Sequence, residues 1–212
     1  MAGVSDVLDE LRQGILRGEF APRQRLIETE LTERYSTSRF VLRNALTRLA
    51  TEGLVELQPN RGARVREITV PEAIEITEIR RAVEGLVAAR AAERITDAEI
   101  TVLHSLGAEM TAAVQAADML RYSELNARLH STVRTIAQHA SATKIIEQLN
   151  AQMVRHQFHL SLVPGRPAVS LPEHLAIITA ICTRDPAAAE RAMQAHLTSV
   201  LKTLAASATV TP

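Results

Sequence analysis

A chain of 212 residues with 46% hydrophobic and 23% charged residues is globular, and with no Trp, two Tyr and three Phe its core must rest on Leu, Ile, Val and Ala, a composition that favours helices. The formal net charge is zero, which argues against a nucleic-acid partner until charge is read locally: between residues 34 and 66, Arg34, Arg39, Arg43, Arg48, Arg61, Arg64 and Arg66 stand against only Glu52 and Glu56. Cys182 is the one cysteine, so an internal disulfide is ruled out; the first ten residues carry acids and no apolar h-region, and no apolar run approaches the roughly 20 residues of a membrane span, so a secreted or membrane-spanning protein is not expected and a cytoplasmic setting is.

In chain order, Val4, Val7, Leu8, Leu11 and Ile15 fall on one face of a predicted helix over 4–17, ended by Gly18 and a turn at Ala21-Pro22. A short helix over 28–35 follows, with Thr29 as its cap and Leu31 inward. Ser36-Thr37-Ser38 turns the chain and caps a third helix over 39–52, whose inward residues are Leu42, Ala45, Leu46 and Leu49. Gly53 stops it. Residues 54–58 and 63–66 alternate like short strands, joined by a tight hairpin at Pro59-Asn60-Arg61-Gly62. Three helices and a hairpin are the order of a winged helix-turn-helix.

The character changes after Val70. No strand signal occurs from there on, and helices are predicted over 71–95, 97–115, 118–138, 142–162, 170–183 and 186–206. Thr69, Thr96 and Asp185 read as caps, and Pro164-Gly165-Arg166-Pro167 as a break. The fold class is therefore mainly α: a winged domain over residues 1–68, then an all-α bundle of about six helices over 69–212.

A major groove admits one helix, which must carry its base-reading side chains opposite its core stripe. Arg39, Phe40, Arg43 and Asn44 meet that requirement. Ser38 and the free N–H groups beside it could hold a phosphate, and Arg61 at the hairpin tip could probe the minor groove or the backbone. The plainer reading is that these arginines only solubilise a small helical domain.

The stretch Gly14-Ile15-Leu16-Arg17-Gly18-Glu19-Phe20-Ala21-Pro22, then Arg25-Leu26-Ile27-Glu28, resembles the opening of the GntR family of bacterial regulators. Ser38-Arg39-Phe40-Val41-Leu42-Arg43-Asn44-Ala45-Leu46-Thr47-Arg48-Leu49 is similar to that family's recognition helix, and Glu52-Gly53-Leu54-Val55 and Pro59-Asn60-Arg61-Gly62-Ala63 to its helix end and wing. The resemblance implies a homodimer on a palindromic double-stranded DNA operator, with Arg39 and Arg43 on bases or phosphates and Arg61 and Gly62 in the minor groove. With Arg25 from the opening motif, the expected DNA-contacting set is Arg25, Ser38, Arg39, Phe40, Arg43, Asn44, Arg61 and Gly62. Three departures stand out: Arg23 where the family has Gly after the turn proline, Phe40-Val41 for Thr-Pro, and Asn44 for Glu.

Seven histidines follow residue 100. Asn126 and His130, four apart, share a helix face, while His174 and His196 lie on inward stripes near Leu171, Leu175 and Ile178 and near Met193, Leu197 and Val200. Imidazoles from separate helices suit Zn, Ni, Fe or Cu and leave positions open for water or a carboxylate. Packed or merely hydrogen-bonded histidines are the alternative. Arg80 sits in the stripe Ile76, Ile79, Val83 and Val87, with Glu84 as its default partner and a ligand carboxylate as its functional one. Arg134 and Arg155 are secondary effector candidates, with surface exposure the plainer reading of both.

Glu78-Ile79-Arg80-Arg81-Ala82-Val83-Glu84, Asn126-Ala127-Arg128-Leu129-His130, Glu173-His174 and His196-Leu197 resemble the ligand-sensing domain of the FadR subfamily. The resemblance implies a metal site at Asn126, His130, His174 and His196, with Asn126 replacing the subfamily's Asp, and a role for Arg80 at the ligand. His139-Ala140-Ser141 also lacks the subfamily's Gly-Asn. The expected function is a ligand-responsive regulator, a repressor, whose affinity for DNA is set by a small carboxylate bound near a divalent metal, with the hinge near 67–71. The competing class is a metal-dependent helical enzyme, but no general-base carboxylate beside the histidines, nucleophile elbow or phosphate loop is legible. A purely structural helical adaptor would leave both clusters without a use.

Overall fold

In the computed structural model, which describes residues 3–58, 61–161, 163 and 165–208, with side chains at all of these but 154–159, 161, 207 and 208, the first apolar stripe forms α1 (Val4–Leu16) and buries Val7, Leu8 and Leu11. The chain then turns through Arg23, which takes a left-handed φ of 62°, into β1 (Arg25–Leu26). Next come α2 (Glu28–Arg34) and α3 (Arg39–Thr51), and then β2 (Val55–Gln58) and β3 (Gly62–Val65). The buried residues of α3 are the four its spacing predicts, Leu42, Ala45, Leu46 and Leu49. Ser38 caps the helix by accepting from the Val41 N–H at 3.2 Å. Thr29 is not a cap: it lies inside α2, and Ile27 precedes that helix.

The three strands form an antiparallel sheet in the order β1-β3-β2, with Leu26 opposite Ala63 and Leu57 opposite Ala63 on the other side. The sequence predicts only the hairpin, because two residues are too few to show alternation. The predicted turn at Pro59-Asn60 lies outside the described residues. Gly62, next to it, has φ 80°, and a Cβ there would stand 2.7 Å from the Leu26 carbonyl oxygen. Only glycine suits that backbone and that approach.

The remaining helices are α4 (Val70–Arg94), α5 (Asp97–Gln115), α6 (Met119–Ala137), α7 (Ala140–Ser161), α8 (Arg166–Cys182) and α9 (Pro186–Ala208). Thr96 and Glu99 form a reciprocal capping box at α5, and Asp185 accepts from the Ala188 N–H at the head of α9. α8 starts four residues before the predicted 170. Gly165, at φ 79°, precedes it, and Pro167 occupies the first turn, where its missing N–H leaves no bond unmade. The chain divides into two compact units, 1–69 with 150–154, and 70–149 with 155–212. Within the second, α4 lies against α9, α6 and α8, so buried polar residues on those four helices face one another. Among the described residues, no helix is long and apolar enough to cross a membrane.

Candidate nucleic-acid interface and metal centre

On the first unit the core stripe of α3 turns inward, which leaves Arg39, Phe40 and Arg43 exposed and Asn44 half-buried. Phe40 is 75% exposed, a large apolar ring left in water on the face opposite the core. Arg39 and Arg43 line a groove of about 620 Å³ with Arg25 and Arg61, between the outer face of α3 and the sheet. Ile27, Leu57 and Gly62 also line it, and Glu28 is its one acid, so cations outnumber anions four to one. Arg25 Nε donates to the Arg61 carbonyl at 3.1 Å and ties β1 to the wing. Asn44 turns its amide back to the Phe40 carbonyl at 2.9 Å, and the Ser38 hydroxyl serves as the helix cap. The eight residues expected at DNA therefore all belong to this small unit, and five of them (Arg25, Arg39, Arg43, Arg61 and Gly62) line the groove, while Phe40 is exposed outside its lining.

In the second unit, His130 from α6, His174 from α8 and His196 from α9 bring one ring nitrogen each to within 4.8 Å of one another. Each Nδ1 is engaged outward. His130 Nδ1 lies 3.0 Å from Glu84 Oε2, His196 Nδ1 2.9 Å from Glu173 Oε2, and His174 Nδ1 2.9 Å from the Tyr122 hydroxyl. That leaves the three Nε2 atoms for the common centre. The outer partners are held in turn: Arg80 Nε donates to Glu84 at 2.8 Å, Arg166 Nη2 to Glu173 at 3.2 Å, and Tyr122 shares a 2.7 Å hydrogen bond with Ser170. Among the described residues, two buried side-chain atoms have no hydrogen-bond partner, His174 Nε2 and Asn126 Oδ1. Buried polar atoms are rarely left so.

Two family models divide this chain between them: bacterial regulatory proteins of the gntR family match residues 4–65, and the FCD domain matches residues 75–199. The HTH-type transcriptional repressor RspR of Escherichia coli is 32% identical over 190 residues, 90% of this chain and 83% of that protein. This chain belongs to the GntR family, in its FadR-type branch. The Nta operon transcriptional regulator of Aminobacter aminovorans is 30% identical over 68% of the chain and 73% of its own length. Among solved structures, Escherichia coli McbR/YncC shares the fold with a TM-score of 0.75 at 20% identity, over 98% of this chain and 99% of that one.

These relatives are transcription regulators, and so is this GntR protein; the enzyme reading is set aside. The site itself carries a correction to the sequence reading. Two carboxylates do stand beside the histidines, Glu84 and Glu173, but both are engaged: Glu84 accepts from Arg80 at Oε1 and from His130 at Oε2, and Glu173 accepts from Arg166 and His196 at the same oxygen, Oε2. Burial alone would push the Glu84 carboxyl up; the Arg80 charge and the His130 hydrogen bond outweigh it and hold the group ionised far below the usual carboxylate range. Glu173 is likewise held low, against its burial, by His196, Ser199 and Arg166. Burial, with the neighbouring imidazoles and Arg166, keeps His174 neutral well below the usual histidine range, and burial lowers His196 despite Glu173.

Arg80 is buried on Glu84, the partner its spacing predicts. Arg134 points to a separate groove of about 430 Å³, lined also by His139 and Lys144 and by none of the three clustered histidines. His139 caps α7 by accepting from the Ala142 N–H, and His104 is exposed. The side chains of Arg155, His156 and His159 lie outside those described. Glu173, Tyr122, Ser170 and Arg166 are the site residues that spacing misses. Glu173 had the one local signal, a carboxylate next to an inward His; the others reach the site only through tertiary packing.

Proposed function

We propose that this GntR regulator is a cytoplasmic homodimeric repressor that binds a palindromic double-stranded operator through residues 1–68 and senses a small carboxylate through residues 69–212. What carries the DNA half is the four-arginine groove on the outer face of α3. Arg39 and Arg43 enter the major groove with Phe40 and Asn44, Arg25 and Ser38 sit at phosphates, and Arg61 with Gly62 probes the minor groove. The relatives RspR of Escherichia coli and NanR of Citrobacter rodentium are HTH-type transcriptional repressors, which supports that sign of action here.

The sensing half rests on the two orphaned atoms. A divalent transition metal (Zn, Ni or Fe) held by His130, His174 and His196, with the Asn126 carbonyl oxygen, would satisfy both. The outward Nδ1 hydrogen bonds fix each ring with Nε2 inward, as metal-bound histidines require. When bound, the metal supplies a Lewis-acidic anchor for the carboxylate. Arg80, buried beside Glu84, is the second contact proposed for that group; Arg134, in its separate groove, is not. Ligand that binds one arrangement of the dimer better than the other shifts operator affinity.

A mobility-shift assay on the DNA upstream of the protein's own gene, with and without a metal chelator, tests this. The proposal expects retardation that the chelator alters. No retardation at low salt would end the regulator mechanism as drawn, and retardation indifferent to chelator and to bound-metal content would reduce the histidines to packing.

A further inference from the structure

Arg43 is not a free cation. Its Nε donates to both oxygens of Glu28 at 3.0 Å, and its Nη2 lies 3.0 Å from Glu28 Oε2. The guanidinium is 66% exposed, whereas the carboxylate, on the first residue of α2, is only 22% exposed. Glu28 is also the single acid of a groove lined by four arginines. An acid in a groove built for a polyanion repels every phosphate that approaches. Stabilising the start of α2 would explain an acid at that position, but not one turned onto the outer face of α3.

We propose that Glu28 is a positioning residue that sets sequence discrimination by fixing how Arg43 meets the DNA. The contact occupies the side of the guanidinium formed by Nε and Nη2 and leaves the end formed by Nη1 and Nη2 for the duplex. A planar fork with one end tethered presents its other end in one orientation, which suits the paired O6 and N7 acceptors of a guanine. Untethered, a long flexible arginine settles on whichever phosphate is nearest. Arg39, on the same face, makes no ion pair among the described residues and is free for that role. Glu28 thus trades general affinity for selectivity: its charge weakens binding to all DNA while its hydrogen bonds hold Arg43 to a base.

This rests on α3 being the base-reading helix, and the test separates the two. Duplexes enriched by the wild-type protein from a random-sequence pool serve as the preferred probe and the unselected pool as the other, with affinities measured at fixed salt for wild type, Glu28→Gln, Arg43→Ala and the double variant. The expected result is that Glu28→Gln binds the unselected pool more tightly and loses roughly tenfold in the ratio of preferred to unselected binding. Arg43→Ala loses a similar ratio, and adding Glu28→Gln to it changes the ratio no further. A helix-stabilising role alone would shift the melting temperature and leave the ratio untouched. If Arg43→Ala lowers the ratio while Glu28→Gln does not, this inference falls and base reading stands; if Arg43→Ala leaves the ratio unchanged, both fall.

Discussion

Arg23 shows how a single residue can work against the backbone it sits on. Its φ of 62° is the left-handed conformation that a side chain disfavours, and its exposed pairing with Glu67 offers little return. Arg23→Gly is expected to raise stability by about 0.5–1 kcal/mol, read as the shift of a denaturant midpoint at constant slope. Asn126 is a departure of another kind, a neutral oxygen where an anion would favour a cation. Asn126→Asp is expected to tighten Zn binding by roughly tenfold or more in a calorimetric titration; an unchanged affinity would remove residue 126 from the ligands. The buried histidines also set a pH dependence. His174 and His196 resist protonation in the folded protein, whereas in the unfolded chain they take protons near 6.5. Folding then binds fewer protons, so the metal-free protein should lose stability as pH falls from about 7.5 to about 5.5, and His174→Gln should flatten that slope. A thermal midpoint that rises on acidification would contradict the assignment.

At the scale of elements, most of the fold was legible because local rules and tertiary packing agree. α5 begins and ends where its capping box and apolar stripe say, and the four inward residues of α3 follow from period alone. The failures have physical causes. Prolines at 164 and 167 read as a break, yet Pro167 in a first turn costs the helix nothing and α8 starts early. β1 has two residues and exists only through its pairing with β3, a contact no local pattern encodes. That pairing requires the missing Cβ of Gly62. Gly62→Ala should therefore destabilise the winged unit by about 1–3 kcal/mol and weaken DNA binding, with α-helical content unchanged by circular dichroism. Retained stability and affinity would show that the wing tolerates a side chain and that the close approach is not limiting.

For the molecule as a whole, the sequence separates two jobs that its net charge of zero conceals. The two units carry equal numbers of arginines, but the first packs them into about half the length and the second holds all seven histidines, and each cluster is completed by acids that spacing alone does not reveal: Glu28 at Arg43, Glu84 and Glu173 behind the imidazoles. The histidine cluster was readable because inward stripes place it; its supporting shell was not, since Glu84 meets His130 across 46 residues of chain and Tyr122 meets His174 across 52, while Arg166 reaches the cluster only through Glu173. Everything proposed for the regulator depends on the outer face of α3 meeting a duplex. The direct measurement is the salt dependence of binding to a fluorescent duplex by anisotropy, for wild type and for an Arg39→Ala, Arg43→Ala double variant. The predicted result is a steep fall of log affinity with log salt for wild type, and a slope shallower by up to about two for the variant, with its folding intact. Equal slopes and equal affinities would contradict it.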